Sequence, residues 1–274
     1  MTSGIVPLSW YRRVSIRSVF AKSLADRTTM TVLTGVGVGL MAFAVTAMFP
    51  SLEESLKELD LGSGFADFFG GASLATPAGW LSAEMWSIVA PFAIVALVLV
   101  DGARSVGSEE EERMIGMLAA NPISRTRILA EKSGAVVVHM LVASALMGLL
   151  SWLAVIVIGL DLDANLIWGA TLHLALLGFM AAATTVAVSA LVGKRAKAMV
   201  VVGAIAAVAY ISASMLPLFD QAAGWAELSP WYYYWGENPL IHGVNWGFIA
   251  IMGAIGTAVF GCAGLVFVRR DLPG

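Results

Sequence analysis

Five side chains able to do acid–base or ligand chemistry lie within or at the edges of apolar stretches of this chain: Glu84, Asp101, His139, His173 and Cys262. Ionisable groups in such surroundings are costly and are functional candidates by default. Asp101 lies close to Arg104, which can pair with it. His139 and His173 stand alone in separate stretches, without the His-x-x-x-His or His-Glu-x-x-His spacing that a metal site needs. Each histidine therefore either touches a bound small molecule or satisfies a contact between helices. No Ser/His/Asp set and no paired carboxylates occur at a fixed spacing, so an intramembrane enzyme is poorly supported. Cys262 is the single cysteine, which excludes an intrachain disulfide and a cysteine metal cluster. It reads as a small packing residue in an apolar helix. No catalytic, cofactor-binding or metal-ligating set is expected.

The stretches that hold these residues dominate the chain. It is 59 % hydrophobic and 13 % charged, with a mean hydropathy of +0.84, against about a quarter charged in soluble domains. A helical span needs roughly 20 apolar residues. Six segments qualify: 28–49, 84–103, 133–158, 166–192, 199–218 and 245–267. The connections between them are too short for a soluble enzyme domain. All but Lys57 of the 16 Lys and Arg residues fall in the N-terminal tail, the second and fourth connections and the C-terminal tail. More than half of the 19 acidic residues fall in the other three connections and at their membrane edges. Loops on the cytoplasmic side retain Lys and Arg. The expectation is an all-α polytopic membrane protein with six transmembrane helices and both termini cytoplasmic, in a bacterial or archaeal cell membrane. The first apolar run is of span length and follows Arg12, Arg13, Arg17, Lys22 and Arg27, which suits an uncleaved first span. The net charge of −3 says nothing of partners by itself, and no nucleic-acid partner is expected.

Residues 1–27 mix Trp10, Tyr11, Val14 and Leu24 with basic residues and are expected to form an interfacial helix on the inner leaflet. A six-span domain over 28–267 and a short tail, 268–274, follow. Gly35, Gly37 and Gly39 give the first span a small-residue spacing that admits a close neighbour. The third connection, 159–165, reads as a tight outer turn and the fourth, 193–198, as a tight inner one. The fifth, 219–244, carries Trp231, Tyr232, Tyr233, Tyr234 and Trp235 in succession. Five aromatics at an outer boundary are most simply an interfacial belt. They could also cap a translocation path as a partly re-entrant segment, an outer gate.

The second connection, 104–132, is the long cytoplasmic one. Ser108-Glu109-Glu110-Glu111 fits a capping box at the start of a helix, where the dipole favours negative charge. Met114, Ile115 and Leu118 then form an apolar stripe flanked by Met117, with Glu109 and Arg113 opposite at i,i+4 spacing. Pro122 disfavours helical geometry at Asn121 and ends the element. Such a helix is built to dock. Glu109, Glu110, Glu111 and Glu112 argue against the anionic inner leaflet as its partner, so a protein groove fits better.

The stretch Gly107-Ser-Glu-Glu-Glu-Glu-Arg-Met-Ile-Gly-Met-Leu-Ala-Ala-Asn-Pro-Ile-Ser-Arg125, continuing to Glu131-Lys132, resembles the type-2 class of ABC exporter permeases. That family has paired glutamates, an apolar helix, then Asn or a small residue, Pro, an aliphatic residue, Ser and Arg. The six-span layout is similar over nearly the full length. Leu228-Ser-Pro-Trp and Glu237-Asn-Pro-Leu240 resemble the loop before the last span in bacterial antibiotic and multidrug exporters. Arg113 and Gly116 depart from the family, which often has Gly and an acidic residue there. The resemblance implies a permease subunit without its own ATPase, in keeping with the lack of a Walker loop. It implies a coupling helix, Glu109 through Arg125, in a groove of a separate ATP-binding subunit that holds the ATP and magnesium. It also implies two permease chains, identical or siblings, with two ATPase copies.

A gradient-driven secondary transporter or channel is the alternative. It would need a charged relay or broken helices at the midplane, and the span centres show little of either.

Overall fold

The computed structural model describes residues 18–58, 73–111 and 125–269. Among them every regular element is a helix, and six are long and apolar enough to cross a membrane. In chain order these are α1 (Val19–Glu58), α2 (Pro77–Leu81) with a π-helical turn (Ser82–Trp86), α3 (Val89–Glu111), α4 (Arg125–Ile158), α5 (Ala164–Val192) and α6 (Arg195–Met215). After two 3-10 turns come α7 (Pro230–Trp235), α8 (Pro239–His242) and α9 (Trp246–Arg269). The spans are α1, the α2–α3 unit, α4, α5, α6 and α9. The protein is an all-α polytopic membrane protein.

The helix α5 is the hub. It carries no charged residue and packs on α3, α4, α6, α8 and α9. Half of its most apolar window is buried inside the bundle, against 6 % for α6, whose Val200, Val208 and Ile211 face outward. Gly178 of α5 sets the closest approach: a Cβ there would lie 2.6 Å from Ile94 of α3 and 2.7 Å from Met140 of α4. Along α1, Gly35 and Gly39 face α4, where a Cβ would stand 2.9 Å from Leu146 Cβ and 2.8 Å from Leu150 Cβ. Gly37 opens onto free space. Two of the three glycines thus admit a neighbouring helix.

The two short turns fold as the sequence indicates. Gly159, at φ 78°, follows α4, and the Asp163 carboxylate caps α5 by accepting the Asn165 N–H at 2.9 Å. Gly193, at φ 63°, closes α5 in the left-handed conformation that favours glycine.

Three expectations need correction. First, α1 runs for 40 residues, about 60 Å, twice a hydrocarbon core of about 30 Å, and so overruns 28–49 at both ends. Of residues 18–27, the described part of the expected interfacial helix, 19–27 are continuous with the span because no Pro or Gly interrupts them; residues 1–17 lie outside the described residues. Second, Ser108 does not begin a helix. Ser108–Glu111 continue α3 without a break, since helix growth is cooperative and only Gly107 resists it there. Third, Cys262 is exposed on the outside of the bundle, not packed within it.

Candidate functional site

Two polar clusters lie inside the bundle, at opposite ends of the second span. Toward the Glu111 end of α3, Asp101 is 6 % exposed and joins three helices. Arg27 of α1 brings Nη1 to 3.0 Å from Asp101 Oδ1. His139 of α4, 4 % exposed, places Nδ1 at 2.6 Å from Asp101 Oδ2 and Nε2 at 3.2 Å from the Leu24 carbonyl of α1. Next to Asp101, Gly102 lets α5 approach: a Cβ at 102 would stand 2.9 Å from Thr185 Cγ2. A second clasp lies closer to the helix ends. The Phe20 N–H, in the first turn of α1, donates to Glu131 Oε2 at 3.0 Å, while Arg127 Nε donates to Glu131 Oε1 at 2.8 Å. First-turn N–H groups have no partner within their own helix, and a carboxylate there also meets the positive end of the helix dipole.

At the other end the fifth connection turns inward. Ser229 Oγ accepts the Trp231 N–H at 3.2 Å and donates to the Ala209 carbonyl of α6 at 2.6 Å. Tyr234 is fully buried, and its hydroxyl donates to the Trp86 carbonyl at 2.6 Å. Asn238 Nδ2 donates to Ser82 Oγ at 3.0 Å, and Asn238 Oδ1 caps α8 through the Leu240 N–H at 3.1 Å. Ser82 and Trp86 bound the π-helical turn, and π turns recur where a helix is interrupted at a working site. Trp231 completes a three-ring cluster with Phe92 of α3 and Tyr210 of α6, centroids 4.9 to 5.9 Å apart. His173 of α5 donates from Nδ1 to the Tyr233 carbonyl at 3.1 Å and accepts the Asn245 N–H at Nε2, 3.3 Å away. Burial holds the Tyr234 phenol well above the ordinary tyrosine range. Burial, then Glu227 and Glu237, raise that of Tyr232.

The interfacial-belt reading is therefore corrected for Trp231, Tyr234 and Trp235, which are buried. Belt residues present one face to headgroups, whereas these pack inside the bundle. Tyr232 and Tyr233 are half-buried and pack on Phe248 at 5.6 and 5.2 Å. The signal for insertion was local: Ser229-Pro230 and Asn238-Pro239 each pair an N-capping side chain with a proline at the first helical position.

The sequence profile described as ABC-2 family transporter protein matches residues 63–259. The chain belongs to that family. No curated protein matches it. This ABC-2 chain is thus an ABC-type permease and a multi-pass membrane protein. The match takes in Asp101, His139 and the whole inserted segment, whereas Leu24 and Arg27 precede it.

Of the residues expected to dock an ATPase, Glu109, Glu110 and Glu111 end α3 and Arg125 begins α4. Glu112, Arg113, Met114, Met117, Leu118 and Pro122 lie outside the described residues. In this ABC-2 permease the two helices that flank those residues, α3 and α4, are joined through Asp101 and His139. Glu84 is exposed in the π-helical turn. The partners given to Asp101 by Arg27 and His139 come from other spans, whereas sequence spacing suggested only Arg104. Neither histidine is alone.

Proposed function

We propose that this ABC-2 permease is the membrane subunit of an ATP-driven exporter in a cell membrane, with both termini cytoplasmic. Separate cytoplasmic ABC ATPase subunits hydrolyse the ATP, and two permease chains pair with two ATPase copies. The 109–125 segment is the coupling helix. It enters an ATPase groove through Met114, Met117 and Leu118, with Glu109 through Arg113 on its polar side. Closing of the ATPase pair moves this segment, and the roots in α3 and α4 carry the motion to Asp101 and His139, where α1 is attached. The cargo is hydrophobic or amphipathic, a drug or antibiotic or a lipid-like molecule. The apolar span interiors and the absence of a large outer binding domain in the sequence support that. At the outer end, Trp231 to Trp235 serve as a gate, with Trp231, Phe92 and Tyr210 closing across three helices.

The observation that carries this reading is the family match, which spans residues 63–259 and so takes in the 109–125 segment. The buried charges near Asp101 do not favour the gradient-driven alternative, because they lie beside the end of the second span at Arg104 and a relay is needed at the midplane. The test is purification of the chain from its native membrane in mild detergent, with mass identification of co-purifying proteins. A stoichiometric soluble ATPase is expected. Its clear absence, with the permease still folded, would overturn the exporter reading in favour of the gradient-driven one.

A further inference from the structure

We propose that Arg27, Arg104 and Arg195 form a binding site for an anionic phosphate group, at the depth where the headgroups of the bilayer lie. The three come from different helices: Arg27 from α1, Arg104 from α3 and Arg195 from the start of α6. Arg104 and Arg195 lie near enough to Arg27 to act on it as like charges. All three are partly buried, so salt screens their repulsion less than it would between exposed groups. Among the described residues the buried carboxylate beside them is Asp101, and both of its oxygens are engaged. Oδ1 faces Arg27 at 3.0 Å and Oδ2 faces His139 Nδ1 at 2.6 Å. Asp26, the other anion acting on Arg27, is exposed, and α5 adds no charge. Nη1 of Arg27 meets Asp101 as an ion pair but off the line of a hydrogen bond, and Nε of Arg195 meets no acceptor among the described residues. Both atoms are buried. Buried donors without acceptors are rare in folded proteins, and a bound ion accounts for them.

The place of the cluster selects the ligand. The second span ends at Arg104 and the fifth begins at Arg195, while Arg27 directly precedes the apolar run 28–49. All three therefore stand where hydrocarbon gives way to headgroups. Lys194 and Lys197 flank Arg195 and are exposed, which extends the positive charge outward from the cluster. The helix α6 starts behind Lys194, whose side chain makes no cap, and uncapped first-turn N–H groups favour an anion. A phosphate answers each of these features. It brings negative charge and several acceptor oxygens, and guanidinium forks hold it in charge-assisted pairs. Basic pockets between spans hold anionic headgroups in this way. The bound group has a structural consequence. Only 6 % of the most apolar window of α6 is buried inside the bundle, so an anion shared by three helices fastens this span to α1 and α3. The inference stands on the geometry of this chain and needs neither an ATPase partner nor a direction of transport.

The experiment uses the full chain in nanodiscs of phosphatidylcholine, whose headgroup is neutral overall, with phosphatidylglycerol introduced at rising fraction. A parallel series adds inorganic phosphate to phosphatidylcholine discs at constant ionic strength. The readout is the melting temperature, which a ligand of the folded state raises. The parent chain should gain several degrees, with saturation, in at least one series. A gain from phosphatidylglycerol alone assigns the site to a lipid headgroup, and a gain from inorganic phosphate assigns it to a soluble phosphate. Arg195→Gln should lose most of the gain. Lys22→Gln, which removes an exposed cation of α1 outside the cluster, should keep it. Arg195→Lys holds the charge without the fork; it should fall between the two, and it stands in for Arg195→Gln should that variant fail to fold. No saturating gain in either series would overturn the proposal and leave the counter-charge to the chain's own acidic residues. A gain that the Arg195 variant keeps in full, or that Lys22→Gln loses equally, would overturn it as well.

Discussion

The Tyr234 hydroxyl donates at 2.6 Å to the carbonyl of Trp86, the last residue of the π-helical turn that opens the second span. One bond thereby fixes the inserted segment before the sixth span to the start of the second. Tyr234→Phe keeps the ring but takes the donor away from that carbonyl. The expected cost is about 1–3 kcal/mol, read as a lower melting temperature of the purified protein with membrane insertion unchanged. Burial holds the folded phenol protonated, while an unfolded tyrosine ionises near about pH 10. The advantage of Tyr over Phe is therefore full below about pH 10 and declines above it. Equal melting temperatures for the two proteins at neutral pH would remove the bond from any structural role.

The three glycines of α1 differ in what an added methyl would meet. Gly39→Ala and Gly35→Ala place a Cβ within 3 Å of Leu150 and Leu146 on α4, and α1 packs chiefly along α4. Overpacking of this kind costs about 1–3 kcal/mol. Gly37→Ala meets nothing within 4 Å and should be neutral or slightly stabilising, since it replaces glycine inside a helix. Thermal unfolding in detergent ranks the three. Equal effects at all three positions would mean that α1 is not held by this face.

How much of this was legible in the sequence follows the range of the interactions. Sorted charges and apolar lengths mark six spans because the bilayer acts on each segment separately. The turns at Gly159 and Gly193 are equally local. Asp101 is different: spacing along one helix offers Arg104, but Arg27 and His139 reach it from α1 and α4, and no periodicity in one span encodes its neighbours. The aromatic run misled because composition gives hydrophobicity without direction. Ser229 and Asn238 turn the chain inward, and only then do Trp231 and Tyr234 become core. The expected cap at Ser108 failed because a capping box competes with continuation of an existing helix, and α3 reaches Glu111 without a strong breaker.

The Arg27–Asp101 pair is buried enough, at 17 % and 8 % side-chain exposure, that removing either partner strands the other. Breaking a buried pair costs about 3–5 kcal/mol. Asp101→Leu should cost more than Arg27→Leu, because Asp101 also serves His139. The double variant should cost less than the two singles together, by about 0.5–3 kcal/mol. Unfolding in mixed micelles measures the cycle. Strict additivity would show that the two side chains act independently despite their 3.0 Å separation.

The docking role assigned to the 109–125 segment has a direct test. Met114 and Leu118 share one stripe of a helical register, so Met114→Asp with Leu118→Asp carries two carboxylates into the groove that the stripe would fill. Burying one such apolar side chain is worth about 1.5–3 kcal/mol, and about 2.8 kcal/mol corresponds to a hundredfold in affinity. The permease should still insert and fold, because none of the six spans is altered. Its affinity for the ATPase should drop by about a hundredfold or more, and transport should fail while the free ATPase keeps its basal rate. A charge-neutral control, Met114→Leu, separates docking from helix propensity, since both residues favour helix equally. Transport and ATPase stimulation that match the parent in the double variant would remove this segment from the coupling path and leave the family membership untouched.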